Sequence, residues 1–270
     1  MRATTVRRRA LVRAATLGAA VALPVVVLAF LVRGQVTAIV HVDQSAIVAA
    51  TDLTRANPAL RSVLVAWQTA FQAVVVNTAG ALLCVWVWRR HRLGTRALWA
   101  AVTIAAGWGL QLAAKGVVQR ARPVVEDAVE HAPGSSFPSG HATNTAVAAV
   151  TLTLLVWPLL GRVGRVAVPT VAGLAVILTA ADRVLLGVHF PSDVVAGVLL
   201  GVAIAGASYV GYRGWGADTP PPADVPDVPD VPHGGDAVPE TGRRDNGVPS
   251  TTPARGDRRP AGTPVPREEP

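Results

Sequence analysis

Six long apolar segments restrict the fold of this chain more than any other feature of its sequence. They run approximately over residues 14–32, 62–88, 97–118, 141–160, 166–181 and 192–212. About 20 consecutive apolar residues are enough for a helix to cross the hydrocarbon core of a bilayer. Hydrophobic residues make up 51% of the chain, which favours a membrane protein over a soluble helical core. We therefore predict an all-α, polytopic membrane protein with six transmembrane helices in a bundle.

The segments between and beyond these runs have other compositions. The first run follows a cluster of arginines, and a cleaved signal peptide is the rival interpretation, but no small-x-small cleavage site follows closely. Residues 34–61 mix polar and apolar groups, which predicts a loop, with an interfacial helix as an option and with His41 as a loop residue. The segment from Gly214 onward contains 13 of the 21 prolines, and this composition predicts a disordered tail.

This pattern predicts three regions along the chain. They are an N-terminal arm with the first two transmembrane helices (1–96), a core with helices three to six (97–213) and a Pro-rich cytoplasmic tail (214–270). The lone cysteine, Cys84, lies inside an apolar run and excludes a disulfide framework within one chain.

Arginine clusters orient the predicted helices. They lie at 2–13, 89–96 and 162–165, which fall on one side of the membrane if six helices alternate in direction. Excess arginine on one side marks the cytoplasmic face, so both termini are expected there. The net charge of +8 is explained by these clusters, and we reject a nucleic-acid partner. Helices three and five then end, and helices four and six begin, at the outer face.

Three short polar clusters occupy those outer ends. They are Lys115-x6-Arg122-Pro123, Pro138-Ser139-Gly140-His141 and Arg183-x5-His189-x3-Asp193. Fixed cations, two histidines and a carboxylate at one end of a bundle suit the binding of a phosphate and its attack by an imidazole. Each residue alone has a simpler explanation, so the combination carries the hypothesis.

The first and second clusters offer contacts to an anion. Lys115 is the only lysine in the chain, although snorkelling at the interface explains Lys115 or Arg122 taken singly. Ser139 can cap the helix that follows, and the N–H groups near Gly140 can bind an anion at its positive end. Capping alone leaves His141 unexplained.

The third cluster pairs an imidazole with a carboxylate. Asp193 lies four residues after His189, close enough to fix its tautomer and leave the other ring nitrogen free to attack. Asp193 alone is better explained as a charge at a helix N-terminus, and its pairing with His189 and Arg183 shifts the balance. A metal site built from His131, His141 and His189 is the competing interpretation, but the surrounding cations disfavour it. We therefore predict no metal and no cofactor.

The three ordered motifs resemble those of the type 2 phosphatidic acid phosphatase family, which shares its site with vanadium haloperoxidases. The resemblance covers about 79 residues, Lys115 to Asp193, and the helices that frame them. It implies that His189 is a nucleophile that forms a phosphohistidine, that Asp193 orients it, and that His141 is a general acid. The resemblance also implies a set of phosphate-binding residues: Lys115, Arg122, Ser139, Gly140 and Arg183. One departure is Asp182, where the family often has serine.

The expected function is therefore that of a multi-pass membrane phosphatase acting on a lipid phosphate or diphosphate at the outer face, without a metal. Two other interpretations stay open at this stage. One is a non-catalytic lipid-phosphate binder or transport component, for which the cations would suffice. The other is a vanadate-dependent peroxidase, which membrane embedding disfavours.

Overall fold

The computed structural model describes residues 2–124 and 133–214, with the backbone alone for the first six of these. The described residues are helical and contain no strand, and they belong to one compact unit, Met1–Pro221. The predicted tail, 214–270, lies almost wholly outside the described residues. The helices of the described part are α1 Arg2–Arg33, α2 Thr37–Ala56, α3 Pro58–Ala70, α4 Ala73–His91, α5 Gly94–Val118, α6 Gly140–Val156, α7 Arg162–Leu185 and α8 Pro191–Gly214, with a 3-10 turn at Trp157–Leu159 after α6.

Five of these elements are long and apolar enough to cross a membrane: most of α1, all of α5, α6 with its 3-10 turn, α7 and α8. The helices α3 and α4 pass the same test only together, and they are bent by 48° at the break between them. Counted as one broken span, they give the sixth crossing. The predicted all-α transmembrane bundle is therefore confirmed, with the difference that the second span is not one straight helix.

The segment predicted as a loop at 34–61, with a helix as an option, is mostly helical, because α2 and the first turn of α3 occupy most of it. His41 accordingly lies on a helix. The buried positions of α2 are Asp43, Ile47, Thr51 and Thr54, which recur every three to four residues and so share one helical face. Three of those four residues are polar. A helix that buries polar side chains lacks the apolar stripe by which amphipathic helices are identified from sequence.

The helix α2 lies across the connection between α7 and α8. Near its start, the Asp43 carboxylate accepts the Ser192 N–H of α8 at 3.0 Å. Near its end, the Thr54 hydroxyl donates to the Leu185 carbonyl at the end of α7, at 2.7 Å. These two buried bonds fix α2 against the end of the bundle where the polar clusters lie.

The helix α6 packs against α4, α5, α7 and α8, and α1 packs against α8. Close approach of α6 and α8 depends on glycines. A Cβ added at Gly201 would lie 2.7 Å from the Thr143 carbonyl oxygen and 2.7 Å from the Ala146 Cβ. A Cβ at Gly197 would lie 2.8 Å from the Ser139 carbonyl oxygen. Helices in membranes associate through such small residues, because lipid provides no hydrophobic driving force between them.

We expect Gly201→Ala to destabilise the protein by about 1–3 kcal/mol, because the new methyl group overlaps the α6 backbone. Thermal unfolding of the detergent-solubilised protein measures this as a lower midpoint. Gly173→Ala in α7 is the matched control, since its Cβ would meet nothing within 4 Å, and higher helix propensity should leave the midpoint unchanged or raise it. Equal midpoints for the two variants would contradict the close α6–α8 packing.

Candidate active site

The structure brings the three sequence clusters together at one end of the bundle. Lys115 lies in the last turn of α5, Ser139 occupies the N-cap of α6, and Asp193 lies in the first turn of α8. The Ser139 N–H donates to the Asp193 carbonyl at 2.9 Å, which joins the second cluster to the third. The Arg122 guanidinium donates to the Val188 carbonyl at 2.9 Å, which joins the first to the third.

His189 lies in the link between α7 and α8 and is 3% exposed. Its Nε2 atom lies 3.3 Å from Nη1 of Arg122. A guanidinium can only donate, so Nε2 accepts and carries the lone pair. The ring proton of the neutral imidazole is therefore on Nδ1. This tautomer presents an unprotonated nitrogen beside a fixed cation.

The Nδ1 atom of His189 faces Asp193 through Ser136. It lies 3.7 Å from Asp193 Oδ2 and 3.4 Å from the Ser136 hydroxyl. The direct distance to the carboxylate is too long for a hydrogen bond. The Ser136 hydroxyl donates to Asp193 Oδ2, so a serine lies between the imidazole and the carboxylate that was predicted to orient it.

The Asp193 carboxylate is fully buried and is held by several donors. Its Oδ2 accepts the Phe190 N–H at 3.0 Å as well as the Ser136 hydroxyl. Its Oδ1 accepts Nη1 of Arg120 at 2.6 Å. A buried charge is stable only when it is paired and hydrogen-bonded. The position of this carboxylate is therefore fixed by its surroundings and not only by its place on α8.

Burial, together with the positive charges of Arg122 and Lys115, lowers the pKa of His189 to about 4 against the opposing effect of Asp193. The imidazole is therefore neutral from pH 5 upward. A neutral imidazole is the form that can act as a nucleophile.

His141, at the start of α6, has its Nε2 atom buried without a hydrogen-bond partner among the described residues. It lies within electrostatic reach of Arg183, His189, Lys115 and Arg122. Residues of the first and third clusters thus act on this imidazole of the second cluster. An unpartnered buried polar atom costs free energy unless a ligand or water satisfies it.

Ser139 occupies the predicted N-cap position, but its side chain makes no capping hydrogen bond. Its backbone carbonyl accepts the Thr143 N–H at 3.0 Å, while Oγ has no partner among the described residues. The expectation that its hydroxyl caps α6 is therefore wrong. The hydroxyl is instead available, like His141 Nε2, to a ligand at this helix start.

Gly140 approaches α5 closely. A Cβ there would lie 3.1 Å from Oε1 of Gln111 and 3.6 Å from Cε of Lys115. Oε1 of Gln111 has no partner in the described part of the chain, and it was not predicted as a site residue. Glycine at this position allows the N-terminus of α6 to lie beside the lysine.

The cations of the first cluster hold the loop between α5 and α6. Lys115 Nζ donates to the Ser135 carbonyl at 2.7 Å. Arg122 donates to the Gly134 and Pro133 carbonyls, both at 3.0 Å. The helix α5 ends at Val118, so Lys115 and Arg122 do not share a helical face.

Arg183 is buried at the end of α7 and contacts two side chains. Its guanidinium donates to the Asp182 carboxylate and to the Gln68 side-chain carbonyl, from α3. Asp182, the departure from the family pattern, thus pairs with the neighbouring arginine. Gln68, which lies inside the second predicted apolar run, thus joins α3 to α7.

Sequence reasoning missed three residues of this site and gave Arg120 no role of its own. Ser136, Asp43 and Gln111 carry no motif of their own, and Ser136 alone is marked by proximity to a cluster. Among residues 2–124 and 133–214, no group of three His, Cys, Asp or Glu side chains is arranged to hold a metal ion. His131, a member of the competing metal-site interpretation, lies outside the described residues.

Several known proteins resemble this chain in sequence. The sequence model of the PAP2 superfamily matches residues 96–216. Two Mycobacterium tuberculosis proteins (strains CDC 1551 / Oshkosh and ATCC 25618 / H37Rv), each named decaprenylphosphoryl-5-phosphoribose phosphatase, are 40% identical over 93 residues. That match covers 33% of this chain and 46% of theirs, so the chain spans about half the length of these relatives.

A solved structure shares the fold. It is described as the first transmembrane PAP2 type phosphatidylglycerolphosphate phosphatase from Bacillus subtilis, and it superposes with a TM-score of 0.63 at 24% identity, covering 71% of this chain and 94% of that one. At that identity the likeness establishes the fold alone. The segment 96–216, which matches the PAP2 superfamily model, contains all three clusters, and this match confirms the resemblance to type 2 phosphatidic acid phosphatases.

Proposed function

We propose that this chain is a membrane phosphatase that hydrolyses a lipid phosphate or diphosphate through a phosphohistidine at His189. The observation that carries the proposal is the Nε2 atom of His189, which lies 3.3 Å from Arg122 while Nδ1 faces Ser136 and Asp193. A binding protein would need the cations, but it would not need an imidazole whose tautomer is fixed.

In the first step, the phosphoryl group of the lipid lies among the cations and the start of α6. Lys115, Arg122 and Arg183, with the Ser139 hydroxyl and the Gly140 amide, stabilise the charge that spreads over its oxygens. The lone pair on His189 Nε2 forms a bond to phosphorus as the bond from phosphorus to the lipid oxygen breaks. His141 donates a proton to that leaving oxygen.

In the second step, the phosphohistidine is hydrolysed. His141, now neutral, accepts a proton from a water molecule whose oxygen forms a bond to phosphorus. The phosphorus–nitrogen bond breaks, its electron pair returns to Nε2, and inorganic phosphate leaves. Asp193 stabilises the positive imidazole ring of the intermediate from the Nδ1 side, through Ser136.

The assay that tests the proposal is phosphate release by the purified full chain in mixed micelles. The substrate panel includes phosphatidate, phosphatidylglycerol phosphate, a polyprenyl diphosphate and a polyprenyl phosphosugar phosphate, since the relatives' names point to such amphiphiles. We expect release from at least one of them, unchanged by a chelator, because arginine and lysine supply the positive charge. Release that stops on chelation and returns with a divalent metal would refute the metal-independent mechanism.

The lowered pKa of His189 predicts how the reaction depends on pH. A nucleophilic imidazole with a pKa of about 4 is neutral above that pH and protonated below it. The acid limb of kcat/KM due to His189 should therefore lie near pH 4, well below the ordinary histidine value near 6.5. A pH profile corrected for ionisation of the substrate near pH 6 measures it. A limb at the ordinary value would show that His189 is solvated or not the nucleophile.

We also propose the orientation that the arginine clusters predict, with both termini in the cytoplasm and the site on the outer side. Cys84 is buried, so single cysteines introduced into a Cys84→Ser background can report sidedness through a membrane-impermeant thiol reagent. A cysteine at Gly161, before α7, should be protected in intact cells, and one at Gly134 should react. The reverse pattern would overturn the orientation.

A further inference from the structure

Asp43, on α2 and far from the three clusters in sequence, has contacts that extend to the nucleophile. Its side chain is 2% exposed. The carboxylate accepts the Ser192 N–H at 3.0 Å, the Ser192 hydroxyl, and Nη2 of Arg120 at 2.7 Å. A buried carboxylate with three donors is held in one place.

Arg120 connects Asp43 to Asp193. The Nη2 atom of its guanidinium donates to Asp43. The Nη1 atom donates to Asp193 Oδ1 at 2.6 Å and to the Ser192 hydroxyl at 2.7 Å. The guanidinium also lies over the Phe190 ring, 4.2 Å from its centroid. Its orientation is therefore fixed from three sides.

This arrangement determines which oxygen of the Asp193 carboxylate pairs with Arg120 and which one faces Ser136. An arginine normally pairs with a carboxylate through two parallel hydrogen bonds. Here Asp43 occupies Nη2, so Arg120 engages only Oδ1 of Asp193. The other oxygen, Oδ2, stays directed at Ser136 and, behind it, at Nδ1 of His189.

We propose that Asp43 is a positioning residue for the phosphatase reaction, which acts by preventing Arg120 from pairing with both oxygens of Asp193. The inference rests on the proposed function, because it assigns Asp43 a part in activating His189. In Asp43→Asn the charge is lost, the bond to Nη2 weakens, and Arg120 rotates to engage Oδ2 as well. The link from Asp193 through Ser136 to His189 is then broken.

A purely structural role for Asp43, tying α2 to α8, makes a different prediction, and Thr54 provides the matched control. The Thr54 hydroxyl is equally buried and also ties α2 to the bundle, through its 2.7 Å bond to the Leu185 carbonyl, but its hydrogen bonds go to backbone carbonyls and not to Asp193 or Arg120. Thr54→Val removes that bond and leaves the charges in place.

The test combines steady-state kinetics with ¹⁵N NMR of histidine-labelled full chain in detergent, with the His189 signal assigned by its loss in His189→Gln. In Asp43→Asn we expect kcat to fall roughly 10- to 100-fold, as when partners of metal-binding residues are removed, with KM changed less than about twofold. The His189 ring should lose its single Nδ1–H tautomer. Asp43→Ala, which leaves no acceptor for Nη2, should show the same changes to a greater extent.

Thr54→Val should lower the unfolding midpoint while kcat and the His189 signal stay at wild-type values. An unchanged His189 signal in both Asp43 variants, or equal kinetic losses in Thr54→Val, would overturn the positioning role. If the wild-type chain releases phosphate from no member of the lipid panel, the proposed function fails. The His189 signal still decides the inference about Asp43 in that case, because it reports the tautomer without turnover.

Discussion

Replacing His189 with glutamine should reduce phosphate release by roughly 10⁴-fold or more, the scale seen when other enzymes lose a nucleophile. Glutamine preserves much of the volume and can accept from Arg122, but its amide cannot form the covalent intermediate. Cations and His141 would remain, so binding of a lipid phosphate should persist. The expected result is a folded protein that binds substrate without converting it.

The intermediate itself can be trapped. Rapid acid-free quenching of the wild-type protein with a ³²P-labelled lipid substrate should leave label on the chain that is stable in base and lost in acid, as a phosphoramidate is. His189→Gln should carry none. His41→Gln is the control, because His41 is exposed on α2 and outside the site. Label retained in His189→Gln, or lost in His41→Gln, would place the nucleophile elsewhere.

The clusters and their placement at helix ends could be predicted because each follows from local sequence. Apolar runs locate the helices, and Pro123 and Pro191 mark where a helix ends or begins. Alternation of six spans then places Lys115, His141 and His189 at one end without any knowledge of packing. The bend between α3 and α4 could not be predicted from the sequence, because neither Phe71 nor Gln72 at the break is a proline or glycine.

The support for the site could not be predicted, because it consists of polar contacts between residues distant in sequence. Asp43 and Ser192 are 149 positions apart, and Gln68 and Arg183 are 115 apart. Neither Asp43, in a segment of mixed polarity, nor Gln68, in an apolar run, belongs to a sequence motif that would mark it as part of a site. Arg96 is a further example. It belongs to a cluster that we assigned to the membrane surface, yet it is buried and donates to the Leu154 carbonyl at 2.7 Å.

Replacing His141 with alanine should separate the two chemical steps of the proposed reaction. With a lipid substrate, the leaving alkoxide needs a proton, so loss of the general acid should slow the reaction by about 10²- to 10⁴-fold. With p-nitrophenyl phosphate, the leaving phenolate needs none, so the first step should stay fast. Hydrolysis of the phosphohistidine still needs His141 to accept a proton from water, and it should be slow with either substrate.

His141→Ala should therefore release one p-nitrophenol per chain in a rapid burst and then turn over slowly, with phosphohistidine accumulating. The wild-type chain is the positive control, and His189→Gln should show no burst. The Nε2 atom of His141 is buried without a hydrogen-bond partner among the described residues, and for this reason our scheme assigns the proton transfer to this histidine. Equal losses on the lipid and aryl substrates without a burst would mean that His141 binds phosphate and does not transfer a proton.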